Sequence, residues 1–220
     1  APAPSATTRC CSTRAPTAHS SWRSVTKIIS STSCATTGLV TVSSSTLTGT
    51  RAEINATLGT ATTAVTGLAS IGATVSDAST VAEINVTAAL TTGAVTASIS
   101  DTDMTTLAGL DETGNVYTIS VADALVDAAA LNVLDGKTTG VVTVTSTRIS
   151  GALSDIKTAY DSNSAGSIIG LGNENVSVTD TGAITASTLN DVNGLTTGVI
   201  TASAVKTVTG SVSELKTLYA

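Results

Sequence analysis

The chain has little charge, almost no aromatic residues, and almost nothing that titrates near neutral pH. Of 220 residues 12% are charged and 2% aromatic, with no Phe, one Trp, one Met and one His. Average domains carry about a quarter charged residues, so the groups from which active sites are built are scarce. A lone His19 supplies neither a His-based triad nor a multi-His metal centre, and catalysis of those kinds is close to excluded. The acids are spread along the chain rather than clustered, unlike the carboxylate pairs of polysaccharide-cleaving enzymes. The expectation is a protein that is not an enzyme. Long apolar runs are missing too. The most apolar stretch, Ala124 to Leu134, is broken by Asp127 and Asn132, so no membrane span is expected.

Cysteine and proline are missing from most of the chain. Cys10, Cys11 and Cys34, all three prolines, Trp22 and His19 fall within residues 1–35. That segment holds Arg9, Arg14, Arg23 and Lys27 and no acid, a formal +4, whereas residues 36–220 hold 6 basic and 16 acidic residues, a formal −10. Two kinds of chain meet near residue 35, which divides the protein into a non-repeat basic head and a body. Three cysteines on one flank cannot staple the rest, and the odd count leaves one thiol free or bonded to another chain. The head reads as a flank, a processing remnant or a stretch of doubtful reading frame, or else as an arm that docks on a neighbouring subunit. The acidic body repels phosphate backbones, so nucleic acid is not an expected partner. The sequence does not begin with Met and reads as a mature product or a fragment.

What is abundant is threonine, 44 of 220 residues, and it recurs in a pattern. The string Thr-Thr-Gly, then two apolar residues, Thr, any residue and Ser or Thr, starts at Thr36, Thr91, Thr138 and Thr196. Weaker strand-like copies lie near Ala61, Thr113 and Ser164, which divides residues 36–220 into about seven units of roughly 26 residues. Each unit opens with a period-2 run such as Val142-Thr143-Val144-Thr145, the signature of a half-buried strand. A helix start follows. Thr50-x-x-Glu53, Thr80-x-x-Glu83 and Ser211-x-x-Glu214 fit the capping box, with Ser120-x-x-Asp123 and Thr188-x-x-Asp191 as shorter versions. Apolar residues then recur at helical spacing, as in Leu153, Ile156 and Tyr160 or Val212, Leu215 and Leu218.

A unit this short cannot bury its apolar face alone, so the units are expected to stack. The predicted fold is mainly β with short helices: a repeat solenoid of about seven coils, each a strand plus a short helix, with the strands in parallel ladders. Its narrow core is expected to exclude large rings, and the Gly after Thr-Thr is expected to serve a corner that needs φ > 0. Residues 131–145, 149–163 and 170–180 resemble the tandem repeats of very large Thr/Ala-rich surface and extracellular proteins of aquatic bacteria, cyanobacteria above all. The resemblance covers about residues 36–220. It implies an extracellular or cell-surface location and a spacer, adhesive or matrix role without catalytic residues.

Four sets of residues are candidates for function. Thr41 and Ser43, Thr96 and Ser98, Thr118 with Ser120, Thr143 and Thr145, and Thr201 and Ser203 each put hydroxyls on a strand face, and stacking would align them into two rows similar to the ice-binding faces of some solenoid antifreeze proteins. Asn55, Asn85 and Asn175 stand in glycosylation sequons. Asn85, Asn132 and Asn193 recur at one place in three units, where side-chain amides are expected to cap backbone groups from unit to unit. Asp101 and Asp103, with Asp111 and Glu112 nearby, offer hard oxygens for a calcium ion. The competing reading of these acids is a solvated turn, and no other cofactor is expected. Gly170-Leu171-Gly172 lacks the third glycine of a dinucleotide fingerprint.

Two functions follow from this reading. The first is a structural protein, a subunit or fragment of a surface fibre, matrix or adhesin that self-associates through its end coils, with glycans as further partners. The second is a monomeric binding module, such as an ice-binding or adhesin rod, that uses the Thr/Ser rows.

Overall fold

Alternation of apolar and polar residues over two to six positions produces short strands, and helix starts capped mostly by Thr, Ser or Asp follow them. A computed structural model describes residues 40–59 and 65–218. The basic head, with its cysteines and His19, therefore lies outside the described residues, as do the first Thr-Thr-Gly string and Tyr219. Strands β1 (Val40–Thr41) and β2 (Thr46–Gly49) lead into helix α1 (Arg51–Leu58), and β3 (Val65–Thr66) and β4 (Gly72–Val75) lead into α2 (Val81–Ala88). Next come β5 (Val95–Ser98) with α3 (Met104–Leu107), then β6 (Val116–Val121) and β7 (Leu125–Asp127) with α4 (Ala128–Asp135). Strands β8 (Val142–Val144) and β9 (Arg148–Gly151) precede α5 (Leu153–Ala165). Strands β10 (Ile168–Ile169), β11 (Asn175–Val178) and β12 (Ala183–Thr185) precede α6 (Ala186–Asn193), and β13 (Ile200–Thr201) and β14 (Thr207–Thr209) precede α7 (Val212–Leu218).

Every strand pair is parallel, with partners 20 to 27 residues apart, from Ser98 with Thr118 to Ile149 with Val176. Each unit thus lies beside the next one in sequence. The strands form a six-stranded sheet ordered β10-β8-β6-β5-β4-β2, a four-stranded sheet ordered β13-β11-β9-β7, and two pairs, β1-β3 and β12-β14. Among the described residues the architecture is mixed α/β with parallel sheets and seven short helices, rather than mainly β. Most units have two short strands before the helix, where the sequence predicts one, but these strands are only two to six residues long, so among the described residues helical residues outnumber strand residues.

One continuous apolar core runs through these units. In β6 the alternation is complete: Tyr117, Ile119 and Val121 are buried while Val116, Thr118 and Ser120 face solvent. The helices add Ile54, Ile84, Leu131 and Ile156, each at most 1% exposed. Burying one such side chain stabilises by roughly 1.5–3 kcal/mol before entropy is counted. The core does admit large rings, contrary to the expectation from composition. Tyr117 and Tyr160 are among its largest fully buried side chains, Tyr160 on the 13-residue helix α5.

Candidate functional site

The Thr-Thr-Gly corners join one unit to the one before it. Thr138 Oγ1 donates to the Tyr117 carbonyl at 3.0 Å and accepts from the N–H groups of Tyr117 and Gly140 at 2.8 and 2.9 Å. The Thr139 N–H donates to the Asn115 carbonyl at 2.8 Å. The same clasp recurs at Thr91, which donates to the Ile71 carbonyl and accepts from Gly93 N–H, and at Thr196, which donates to the Glu174 carbonyl and accepts from Gly198 N–H. Position, not conformation, makes the third residue glycine. Gly93, Gly140 and Gly198 are absent from the positive-φ glycines, which corrects the expectation of a φ > 0 corner. A Cβ at Gly140 would instead run into the Tyr117 carbonyl of the preceding unit.

Acids form a second set of ties that the sequence reading did not identify. The first N–H of α1, α2, α3 and α5 donates to a carboxylate of the following unit: Arg51 to Asp77, Val81 to Asp101, Met104 to Asp123 and Leu153 to Asp180, each at 2.7 Å. Helix N-termini leave such amides unpaired and carry partial positive charge, so a carboxylate there both satisfies and stabilises them. The signal was available in the sequence as an acid two to five residues ahead of each following N-cap. Asp123 accordingly serves the preceding helix and does not form a box with Ser120, which stays in β6. Thr188 and Asp191 lie inside α6, whose cap is Thr185.

The three full boxes form as predicted. Thr50 and Thr80 accept from the N–H of Glu53 and Glu83, whose carboxylates accept the cap N–H in return, and Ser211 with Glu214 does the same. Bonds from the cap residue hold Glu53, Glu83 and Glu214 below the ordinary carboxylate value, and bonds from Thr106 do the same for Asp103. Asp101 and Asp103 of the candidate calcium cluster thus each commit an oxygen to a helix start. Asp111 and Glu112 are exposed. Among the described residues no group of three or more His, Cys, Asp or Glu is placed to hold a metal ion, and no helix is long and apolar enough to cross a membrane.

The helix asparagines form a third tie. Asn85 Nδ2 donates to the Gly109 carbonyl at 2.7 Å and its Oδ1 accepts the Asp111 N–H, while Asn132 Nδ2 donates to the Asp155 carbonyl at 2.9 Å. In α6 the residue in this role is Asn190, bonded to the Glu214 carbonyl, not Asn193, which is exposed at the helix end. The fifth residue of the helix faces the next unit and the eighth does not. Of the sequon residues, Asn85 has its Nδ2 committed in this way and Asn55 buries an unpartnered Oδ1. Asn175 is exposed on β11.

The ten candidate row hydroxyls are exposed apart from half-buried Thr143, but those that lie in strands are divided among three sheets. Thr41 pairs with Thr66 in the β1-β3 pair, Thr96, Ser98, Thr118 and Thr143 lie in the six-stranded sheet, and Thr201 pairs with Ser177 in the four-stranded one. Ser43, Thr145 and Ser203 fall outside the strands, and Thr145 Oγ1 donates to the Val121 carbonyl. Within the six-stranded sheet Thr48, Thr74 and Thr96 stand in one register row, but the next position is Val116. The row is therefore three hydroxyls long before an apolar residue breaks it.

One acid is buried. Glu174, 1% exposed, accepts the Tyr160 hydroxyl on Oε1 and the N–H groups of Gly172 and Asn173 on Oε2. Burial, reinforced by the bond to Glu174, raises the Tyr160 hydroxyl far above its usual value, and burial pushes Tyr117 up to about 12. The Gly170-Leu171-Gly172 turn is thus closed by the chain's own carboxylate. Comparison with known protein families, curated proteins and solved structures finds no match for this chain.

Proposed function

We propose that residues 36–220 wind as a solenoid of about seven coils and that the protein is a non-enzymatic structural element: a subunit or fragment of an extracellular fibre, matrix or adhesin, assembled by stacking coil on coil. The observation that supports this reading is the use of the polar side chains. Clasp threonines, inter-unit aspartates and helix asparagines all bond the backbone of an adjacent unit, and backbone is what every further unit also offers. An interface that recognises backbone at a fixed repeat can take another copy of itself. The location outside the cell rests on the resemblance of residues 131–180 to bacterial surface repeats.

The partner is a second copy of the chain, seated on the exposed side of α7. Val81 and Leu153, first residues of α2 and α5, are 4% and 3% exposed beneath the following unit, whereas Val212, first residue of α7, is 76% exposed. Burial of such a side chain favours association by roughly 1.5–2 kcal/mol, with the edges of β13 and β14 that have no partner among the described residues adding directional bonds. Electron microscopy of the full chain at rising concentration tests the reading. Regular fibres are expected, and Val212→Asp is expected to abolish them while leaving the circular dichroism spectrum unchanged. Discrete particles at every concentration would overturn assembly and leave a monomeric binding rod.

A further inference from the structure

The outward face of the four-stranded sheet brings a guanidinium, a side-chain amide and hydroxyls side by side. Register places Leu125, Arg148 and Asn175 in one row and Asp127, Ser150, Ser177 and Thr201 in the next. Across β9, β11 and β13 lies an open groove of about 270 Å³, lined by Arg148, Asn175, Val176, Ser177, Val199 and Thr201. Asn175 Oδ1 accepts the Val199 N–H at 2.9 Å, which fixes the amide and leaves the Nδ2 hydrogens as donors. The Arg148 guanidinium makes no ion pair, and the Ser177 and Thr201 hydroxyls hold no hydrogen bond, among the described residues. Val199, 68% exposed, adds an apolar wall.

We propose that this groove binds a saccharide bearing a single carboxylate. A guanidinium fork matches a carboxylate with two parallel bonds. The Asn175 amide and the hydroxyls of Ser177 and Thr201 match ring hydroxyls, and the Val199 methyls match the C–H face of a sugar ring. The volume lies just below the usual range for ligand sites and suits one or two rings. The charge of the body selects against a dense polyanion: residues 36–220 carry a formal −10, which repels a polymer with a carboxylate on every ring, while one carboxylate on a neutral chain is compensated by Arg148 alone. The site lies on the face of one chain's sheet and stands whether or not units of different chains stack.

Sialyllactose, one carboxylate on a neutral chain, is the test ligand and lactose the neutral control. The full chain is titrated at low salt, followed by calorimetry and by backbone amide shifts. Saturable binding is expected, with shifts centred on Arg148, Asn175, Ser177, Val199 and Thr201. Lactose and the Arg148→Gln variant are each expected to bind about tenfold more weakly or worse. Thr201→Val is expected to weaken binding by a smaller factor. Amide spectra of the variants superimposable on the parent away from the groove establish that the fold is intact. Absence of saturable binding by the parent chain, or equal binding by Arg148→Gln, overturns the site. Equal binding of lactose overturns the role of the carboxylate.

Discussion

Threonine at the corners and threonine on the strand faces meet opposite fates. At the corners Thr91, Thr138 and Thr196 turn inward, and each bonds the backbone of the unit before it. On the six-stranded face Thr48, Thr74 and Thr96 stand outward in register. The two groups have the same chemistry and similar local sequence, yet one holds the fold together and the other is tolerated by it. What separates them is the distance to the neighbouring unit: where two backbones touch, a hydroxyl is the shortest side chain that both donates and accepts. A composition rich in threonine therefore says little until each residue is assigned to a corner or a face.

The sharpest way to break the corner is to fill its glycine. Gly140→Ala is expected to cost about 3 kcal/mol or more, because the added Cβ meets the Tyr117 backbone and forces two units apart. Gly114→Ala has open space at its Cβ and only a φ of 83° to resist it, so about 1 kcal/mol is expected. Urea denaturation followed by circular dichroism measures both. Equal costs at the two sites would remove the close approach as the reason for glycine.

A smaller effect separates corner from face directly. Thr138→Val keeps the volume but leaves buried backbone groups of Tyr117 and Gly140 without their partner, an expected loss of about 2–3 kcal/mol. Thr143→Val, half-buried on β8 and without a side-chain bond, is expected to stay within about 0.5 kcal/mol of the parent. The same denaturation series reads both variants. Matching midpoints would mean that the clasp contributes nothing net.

The smallest effect concerns the caps and appears only with pH. Glu53, Glu83 and Glu214 titrate below their ordinary value of 4.5 because the folded state bonds their charged form. Their stabilisation is therefore fully present above that value and is lost as pH falls through the lowered folded value. Thermal midpoints are expected to drop on acidification from pH ~5 to pH ~3. In Glu83→Gln, whose amide can still accept the cap N–H, that acid limb is expected to be shallower. An acid limb unchanged by the substitution would assign the pH dependence to other carboxylates.

Much of the local structure was legible in residue order. The capping boxes at Thr50, Thr80 and Ser211, the helical spacing of Leu153, Ile156 and Tyr160, and the alternation in β6 are short-range patterns whose physical cause lies within a few residues. Asn85 and Asn132 were legible because they recur at one helix position. Asn193 was misassigned because a hydroxyl-rich run moved the start of α6 to Ala186, and only the backbone shows that the fifth helical residue is Asn190. The candidate groove was not legible at all, since Arg148, Asn175 and Val199 are separated by 27 and 24 residues and meet only through parallel register.

Sequence by itself determined where the helices capped at Thr50, Thr80 and Ser211 begin, which face of a strand such as β6 is apolar, and that strand and helix segments alternate, because propensity, capping and periodicity act over distances of one or two turns. The tertiary structure alone decided which unit lies against which. That placement turned the third corner residue into an obligatory glycine, sent Asp77, Asp101, Asp123 and Asp180 to cap helices of the preceding unit, and divided the exposed hydroxyls among three sheets. Each depends on a register offset of 20 to 27 residues that varies from unit to unit, a quantity set by how the whole core closes rather than by any local run of residues.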